Sequence, residues 1–115
     1  MVLTEKQAIQ RTIEKLIAKN DLKREEIFRV LEEIKIGNAT NAQIGGFLVG
    51  LVVKGVNVDE LSAIAEWMRQ NAIAVKPKVK GQIIDTCGTG GGVLTFNVST
   101  ANAIMAAAAG IPVAK

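Results

Sequence analysis

The stretch "VKPKVKG", Val75 to Gly81, constrains the fold more than any other, because the hydrophobic pattern changes across it. Upstream, apolar residues recur at intervals of three and four. Downstream come short apolar runs, a cluster of glycines and an alanine-rich segment. Pro77 disfavours helix for Lys76, the three lysines are solvated, and Gly81 closes the stretch, so residues 76–81 read as a linker between domains. Lysines can also reach an anionic substrate, but a solvated linker is the preferred reading.

Four helices are expected in residues 1–75. Thr4 and Gln7 make a capping-box pattern ahead of Ile9, Ile13, Leu16 and Ile17, placing one helix between Thr4 and Asn20. A second starts near Asp21, whose carboxylate is positioned to cap it, and carries Glu25 and Glu26 in its first turn. It presents Ile27, Val30, Leu31 and Ile34 and stops at Gly37. Thr40 and Gln43 repeat the capping box before Ile44, Phe47, Leu48, Leu51 and Val52, with a stop at Gly55; this helix is expected to be buried nearly all round. Asn57 or Asp59 opens the fourth, where Leu61, Ile64, Ala65 and Met68 form the stripe and Trp67 and Ala72 widen it. Gly46 and Gly50, one turn apart, let another backbone approach. Packing within one subunit and a subunit interface both account for them.

Composition removes several classes of function. With 49% hydrophobic and 22% charged residues the chain is core-forming rather than disordered. The net charge of +3 is spread thinly: Met1–Lys76 carries 11 Lys and Arg against 10 Asp and Glu, and the remainder 3 against 1. That is no footprint for many phosphate contacts, so a nucleic-acid partner is not favoured. One cysteine and no histidine exclude an internal disulfide and a Cys/His metal site, and a reducing cytoplasm fits. The acids and glutamines of "MVLTEKQAIQRTIEKL" argue against a signal peptide, and the longest apolar run, Ile44–Val53, is too short to span a bilayer, so no membrane partner is expected.

Beyond the linker, Gln82–Thr86 reads as a strand, Ser99–Ala109 as a helix and Ile111–Lys115 as a second strand. The expected fold is therefore α plus α/β: a small N-terminal helical bundle, then the first βαβ unit of a larger α/β domain over residues 82–115. The strands should be parallel with a right-handed crossover. Two such strands and one helix cannot cover both faces of a sheet, so more protein is expected to follow.

Between first strand and helix lie Gly88, Gly90, Gly91 and Gly92. Glycine loses the most conformational freedom on folding, so a cluster points to a backbone shape or approach that Cβ forbids. Ligands of α/β units gather at the carboxyl ends of strands, where the next helix offers free N–H groups and its positive dipole end. Successive amides in a glycine loop suit a phosphate or diphosphate, and Thr95, Asn97, Ser99 and Thr100 add oxygen groups suited to phosphate, ribose or Mg²⁺. The alternative is a plain strand-to-helix turn with Asn97 or Ser99 as N-cap. A Walker loop is excluded because no lysine follows the glycines, and a dinucleotide fingerprint because Val93 stands where the third glycine belongs.

The letters Asp85-Thr-Cys-Gly88-Thr-Gly-Gly91, then Thr95-Phe-Asn97-Val-Ser99-Thr100, then Val113-Ala-Lys115, closely resemble the anthranilate phosphoribosyltransferase family of tryptophan biosynthesis. The resemblance extends along the chain, through helical-domain segments such as "ATNAQIGGFLVGLVVKG" and "LSAIAEWMR". It implies transfer of the phosphoribosyl group from Mg²⁺-bound phosphoribosyl pyrophosphate to the amine of anthranilate, with inversion and no covalent enzyme intermediate, in a cytoplasmic homodimer joined through the helical domain. Carried over position by position, Gly88 touches both substrates, Gly91 and Gly92 the diphosphate, and Thr95 and Asn97 phosphate and ribose. Val98 belongs to the same donor-binding motif, Ser99 ligates Mg²⁺, Thr100 binds phosphate, and Lys115 meets the donor's phosphates.

This sequence departs from the family pattern in having Gly92 where the family has Asp, and in a loop to Thr95 that is one residue shorter. It also lacks the family's His-Gly-Asn-Arg stretch, the acidic pair for a second Mg²⁺ and the basic residue that meets the acceptor, so this stretch by itself is expected to be inactive. Two other readings share the architecture: a pyrimidine nucleoside phosphorylase, against which Asn97-Val-Ser99-Thr100 argues, and a non-catalytic relative that binds nucleic acid, permitted only by "KPKVK".

Overall fold

A computed structural model describes residues 7–88 and 97–115, which divide into two compact units, Met1–Ile73 and Ala74–Lys115. Among the described residues the first holds four helices: α1 (Ala8–Ile17), α2 (Arg24–Lys35), α3 (Asn41–Lys54) and α4 (Val58–Asn71). The second holds α5 (Val98–Ala108).

In the first unit α1 packs against both α2 and α3, and α4 packs against α2. Ile9 and Leu16 of α1, Ile27 and Val30 of α2, Phe47 and Leu51 of α3 and Ala63 of α4 meet in one core, to which Leu22 of the α1–α2 connection adds. Fully burying a side chain such as Ile9 or Phe47 contributes about 1.5–3 kcal/mol. The helix stops follow from glycine: Gly37 has φ 78° and Gly55 φ 88°, values that a Cβ disfavours. At Gly37 the chain closes a two-bond Schellman turn, Gly37 N–H to Ile34 O (3.1 Å) and Asn38 N–H to Glu33 O (2.9 Å).

The helix starts agree with expectation at α3 and α4. Gln43 N–H donates to Thr40 Oγ1 (3.3 Å) while Thr40 N–H donates to Gln43 Oε1 (2.8 Å), and Asn57 and Glu60 make the same reciprocal pair (2.8 and 3.0 Å). At α1, Thr4 lies outside the described residues, and Gln7 is the N-cap position without a side-chain cap. The first amides, Ala8 and Ile9, instead donate to the Glu33 carboxylate of α2 at 2.8 and 3.0 Å, a charged cap brought from another helix.

Asp21 does not cap α2. Glu26 reaches back to the Lys23 amide instead (2.9 Å), and Asp21 pairs with Lys54 Nζ at 2.7 Å. Lys54 also meets Glu60, which has no solvent exposure, at 2.8 Å, and Glu60 accepts the Leu22 N–H at 2.9 Å. One buried carboxylate thus ties the α1–α2 connection, the end of α3 and the start of α4 together. Burial pushes the Glu60 carboxyl up, but hydrogen bonds from Lys54, Asn57 and Leu22 outweigh it and hold the group below the usual glutamate range. Asp21 and Glu60 together raise the Lys54 ammonium.

Two burial expectations are corrected. α3 buries Phe47 and Leu51 against its neighbours, while Leu48, Val49, Val52 and Val53 are 54–76% exposed. A helix apolar all round shows no preferred face in its sequence, and only one of its faces meets α1. On α4, Leu61 and Met68 are exposed, and the inward side is Glu60 and Ala63 with Ile64 and Trp67 half-buried. The glycine question also resolves within the first unit: a Cβ on Gly50 would lie 3.1 Å from Leu16 Cβ, and one on Gly46 3.4 Å from Ile13 Cδ1. Both glycines admit α1.

In the second unit the helix occupies the expected position, ending in a Schellman turn at Gly110 (φ 84°) with Ile111 N–H bonded to Ala106 O at 3.0 Å. Neither expected strand forms as an extended element among the described residues. What joins residues 82–86 to 111–115 is a single parallel bridge between Ile84 and Val113. Parallel pairing is slightly less stable per residue than antiparallel, and an isolated two-stranded pair is marginal in water. Among the described residues no helix is long and apolar enough to cross a membrane.

Candidate functional site

The site is built from the bridge outward. Ile84 N–H donates to Pro112 O and Ala114 N–H to Ile84 O, each at 3.0 Å, which sets the end of the first segment beside Lys115. Asp85 then turns the chain: its Oδ1 accepts the Cys87 N–H at 2.8 Å, the geometry by which Asx residues close a turn on their own backbone. Thr86 Oγ1 donates to the Ser99 carbonyl at 2.9 Å and so ties the loop's beginning to the first turn of α5. Asn97 is the N-cap position of α5 and makes no side-chain capping bond.

At this point Lys115 Nζ donates to Ser99 Oγ at 2.9 Å. The two residues are 16 apart in the chain and are brought together because the bridge returns the segment after α5 to the helix's own start. A cation and a hydroxyl beside a helix N-terminus form a polarity suited to an anion: the dipole, the ammonium and the hydroxyl hydrogen all favour negative charge.

Of the other expected site residues, Gly88 is exposed, and an added Cβ would meet nothing within 4 Å, so no neighbour among the described residues demands glycine there. Asn97 and Val98 are exposed and Ser99 and Thr100 half-buried along the first turn of α5. Gly91, Gly92 and Thr95 lie outside the described residues. An adjoining cleft of about 660 Å³ is walled by apolar side chains including Val79, Ile83 and Val113, with Asp85, Cys87 and Lys115 also on its lining. Ser99 does not line it. Lys115 therefore connects the cleft to the helix start.

For a metal, Ser99 offers one hard oxygen, and no group of three or more His, Cys, Asp or Glu able to hold an ion occurs among the described residues. One protein oxygen fits Mg²⁺ in the way that ion binds with diphosphates, keeping waters and taking most of its remaining ligands from the anion. It does not make a metal site by itself.

Thr86 and Asp85 were not singled out for these contacts from the sequence alone. Asp85-Thr-Cys at the end of an apolar run is a turn signal that points to the carboxylate, whereas nothing in the spacing points Thr86 at Ser99.

Residues 10–72 match the sequence model of the glycosyl transferase family's helical bundle domain, and residues 80–115 that of the same family's a/b domain. Among curated proteins the chain is similar to the anthranilate phosphoribosyltransferases of Thermoanaerobacter sp. (strain X514) and of Ruthia magnifica, each 49% identical over 108 residues, 93% of this chain and 32% of the relative. It is also similar to that of Methanocorpusculum labreanum, at 47% with the same coverage. The chain thus spans about a third of the length of these relatives. No solved structure matches it. The two matched segments lie in the order of the two units, and the chain belongs to the glycosyl transferase family of helical-bundle and α/β domains.

Proposed function

We propose that this chain supplies the helical domain and the first part of the donor site of an enzyme that transfers the phosphoribosyl group from phosphoribosyl pyrophosphate to anthranilate. The observation that carries the reading is the Lys115–Ser99 contact at 2.9 Å: two residues that the resemblance assigns separately to the donor meet at a helix start. The relatives' shared name supports the acceptor.

In this reading the amine nitrogen of anthranilate attacks the anomeric carbon as the carbon–oxygen bond to pyrophosphate breaks. Pyrophosphate leaves, the configuration inverts and the amine loses a proton. Negative charge grows on the leaving group, so fixed donors stabilise the transition state more than the bound substrate. Lys115, Thr100 and the amides of Gly91 and Gly92 take the phosphate oxygens, Thr95 and Asn97 hold phosphate and ribose, and Val98 packs beside the donor. Gly88 faces both substrates. Ser99, together with the diphosphate, would hold Mg²⁺, which when bound would supply neutralising charge to the leaving group.

Residues 76–81 are the linker, and residues 82–115 begin an α/β domain whose first parallel pair is the Ile84–Val113 bridge, in keeping with the a/b match over residues 80–115. Two copies associate through the exposed α3 face of Leu48, Val49, Val52 and Val53. By itself the chain binds donor without turning it over, because the acidic pair and the acceptor-binding residue that the resemblance requires are not in its sequence.

A chimera tests this. Replacing the corresponding N-terminal third of the Thermoanaerobacter relative with this chain is expected to give a soluble transferase that makes phosphoribosyl anthranilate. The same chimera carrying Ser99→Ala should need more Mg²⁺ for half-maximal rate. A folded chimera without transfer, or an unchanged Mg²⁺ requirement, would count against the assignment.

A further inference from the structure

We infer that Thr86 is a positioning residue for the start of α5: its hydroxyl holds the first turn of the helix by a carbonyl, and so leaves the amides of that turn to an anion. The inference rests on the reading of this helix start as part of a donor site, and it adds a residue to which that reading gives no role.

A helix start is ordinarily fixed by its N-cap side chain, which accepts from the amide of the second or third helical residue. In α5 those residues are Ser99 and Thr100, and the N-cap residue Asn97 makes no such bond. The start is held from another segment instead. Thr86 Oγ1 donates to the Ser99 carbonyl at 2.9 Å, from a position 13 residues earlier in the chain. A carbonyl oxygen has two lone pairs, so Ser99 O takes this bond and keeps its place in the helix ladder. A local cap would occupy an amide, whereas a tether to the carbonyl occupies none.

Thr86 is itself held firmly enough to serve. Two residues upstream, Ile84 N–H donates to Pro112 O and Ile84 O accepts from the Ala114 N–H, each at 3.0 Å. Thr86 is half-buried, and its branched Cβ restricts the rotation that aims the hydroxyl. From the other side Lys115 Nζ donates to Ser99 Oγ at 2.9 Å, so Ser99 is gripped by both segments that the Ile84–Val113 bridge joins. The two grips differ in kind. The ammonium holds a side chain and can turn to an anion's oxygen, while the Thr86 hydroxyl holds the backbone and stays. One neutral hydrogen bond of this sort shifts an equilibrium about two- to tenfold, here the closing of the first turn.

The test is amide NMR of the whole chain and of its Thr86→Val and Thr86→Ser variants, first without ligand and then with inorganic pyrophosphate. Valine keeps the branched shape and removes the hydroxyl; serine keeps the hydroxyl. Two amides report on the helix: Ala101 N–H, bonded to Asn97 O at 3.1 Å in the first turn, and Ile111 N–H, bonded to Ala106 O at 3.0 Å at the far end. In Thr86→Val, solvent exchange at Ala101 should quicken about two- to tenfold with Ile111 unchanged, and Thr86→Ser should match the parent. Pyrophosphate, followed by the shifts of Ser99 and Thr100, should bind Thr86→Val about twofold more weakly, less than the exchange effect because only molecules with the turn closed bind. Unchanged Ala101 exchange in Thr86→Val overturns the inference, as does equal quickening at both ends of the helix, the mark of a merely structural role. A serine variant that behaves like the valine one, or undiminished pyrophosphate affinity in Thr86→Val, overturns it as well. The donor-site reading fails separately: pyrophosphate then shifts neither Ser99 nor Thr100 in the parent while the exchange difference at Ala101 remains, and Thr86's part in anion binding falls with it.

Discussion

Replacing Glu60 with Gln isolates the contribution of one buried charge to the helical unit. Glu60 is fully buried and accepts from Lys54 Nζ (2.8 Å), the Asn57 amide (3.0 Å) and the Leu22 amide (2.9 Å). Glutamine keeps the shape but turns one acceptor into a donor, which must then face either the Leu22 N–H or the pair formed by Lys54 and Asn57. Removing one member of a buried ion pair costs about 3–5 kcal/mol when the other is left unpaired. Here Lys54 keeps Asp21 at 2.7 Å, so the lower end applies, about 3 kcal/mol.

Trp67, the sole tryptophan, sits on α4 and reports this unit by fluorescence during urea unfolding of the whole chain. With a slope of about 1.5 kcal/mol/M the midpoint should fall by about 2 M at pH 7. The Glu60 carboxyl is held below its ordinary range when folded, so its contribution is fully present above about pH 4.3 and is lost as pH falls through the folded value. The gap between parent and variant should therefore narrow in acid. A variant within about 0.5 kcal/mol of the parent at pH 7, or a gap of the same size at pH 7 and pH 2.5, would refute the reasoning.

Two glycines of α3 should respond in opposite directions. Gly50→Val puts branched carbons where Leu16 Cβ lies 3.1 Å from even a first carbon, and should lose about 1–3 kcal/mol in the same urea assay. Gly45→Ala meets nothing within 4 Å inside a helix and should gain about 0.5–1 kcal/mol. On the proposed association through the α3 face, Val52→Asp, at a residue 76% exposed, should shift the sedimentation of the chain from dimer to monomer and lower a urea midpoint measured at dimer-forming concentrations. A dimer that survives the change would place association on another surface.

Much of the helical unit was legible because its signals are local. Thr40 with Gln43 and Asn57 with Glu60 are caps whose partners lie three residues apart, and Gly37 and Gly55 stop helices through backbone freedom that only their own residue type supplies. What stayed hidden depends on partners far along the chain. Asp21 sits where a cap belongs, yet a lysine 33 residues away takes it, and the amides of α1 are capped by Glu33 of another helix. The exposed valines of α3 were unreadable for a different reason, since a helix apolar all round carries no periodicity to say which side faces the core.

In the second unit the helix position followed from spacing, but the two strands expected beside it do not form among the described residues, where one parallel bridge joins Ile84 and Val113; a short, isolated parallel pair is marginal whatever its apolar pattern. The glycines suggested an anion from backbone chemistry alone, whereas the resemblance gave Ser99 and Lys115 separate roles and nothing in the sequence indicated that they meet. Sixteen residues and a helix separate them.

The central claim is that the start of α5 and Lys115 receive a sugar diphosphate. It is tested most directly by titrating phosphoribosyl pyrophosphate with MgCl₂ into the isotope-labelled 12.2 kDa chain and mapping the amide shifts. The account predicts saturable shifts at Gly88, Ser99, Thr100 and Lys115, with the helices of the first unit unmoved. Shifts confined to α1–α4, or none at millimolar donor, would contradict it.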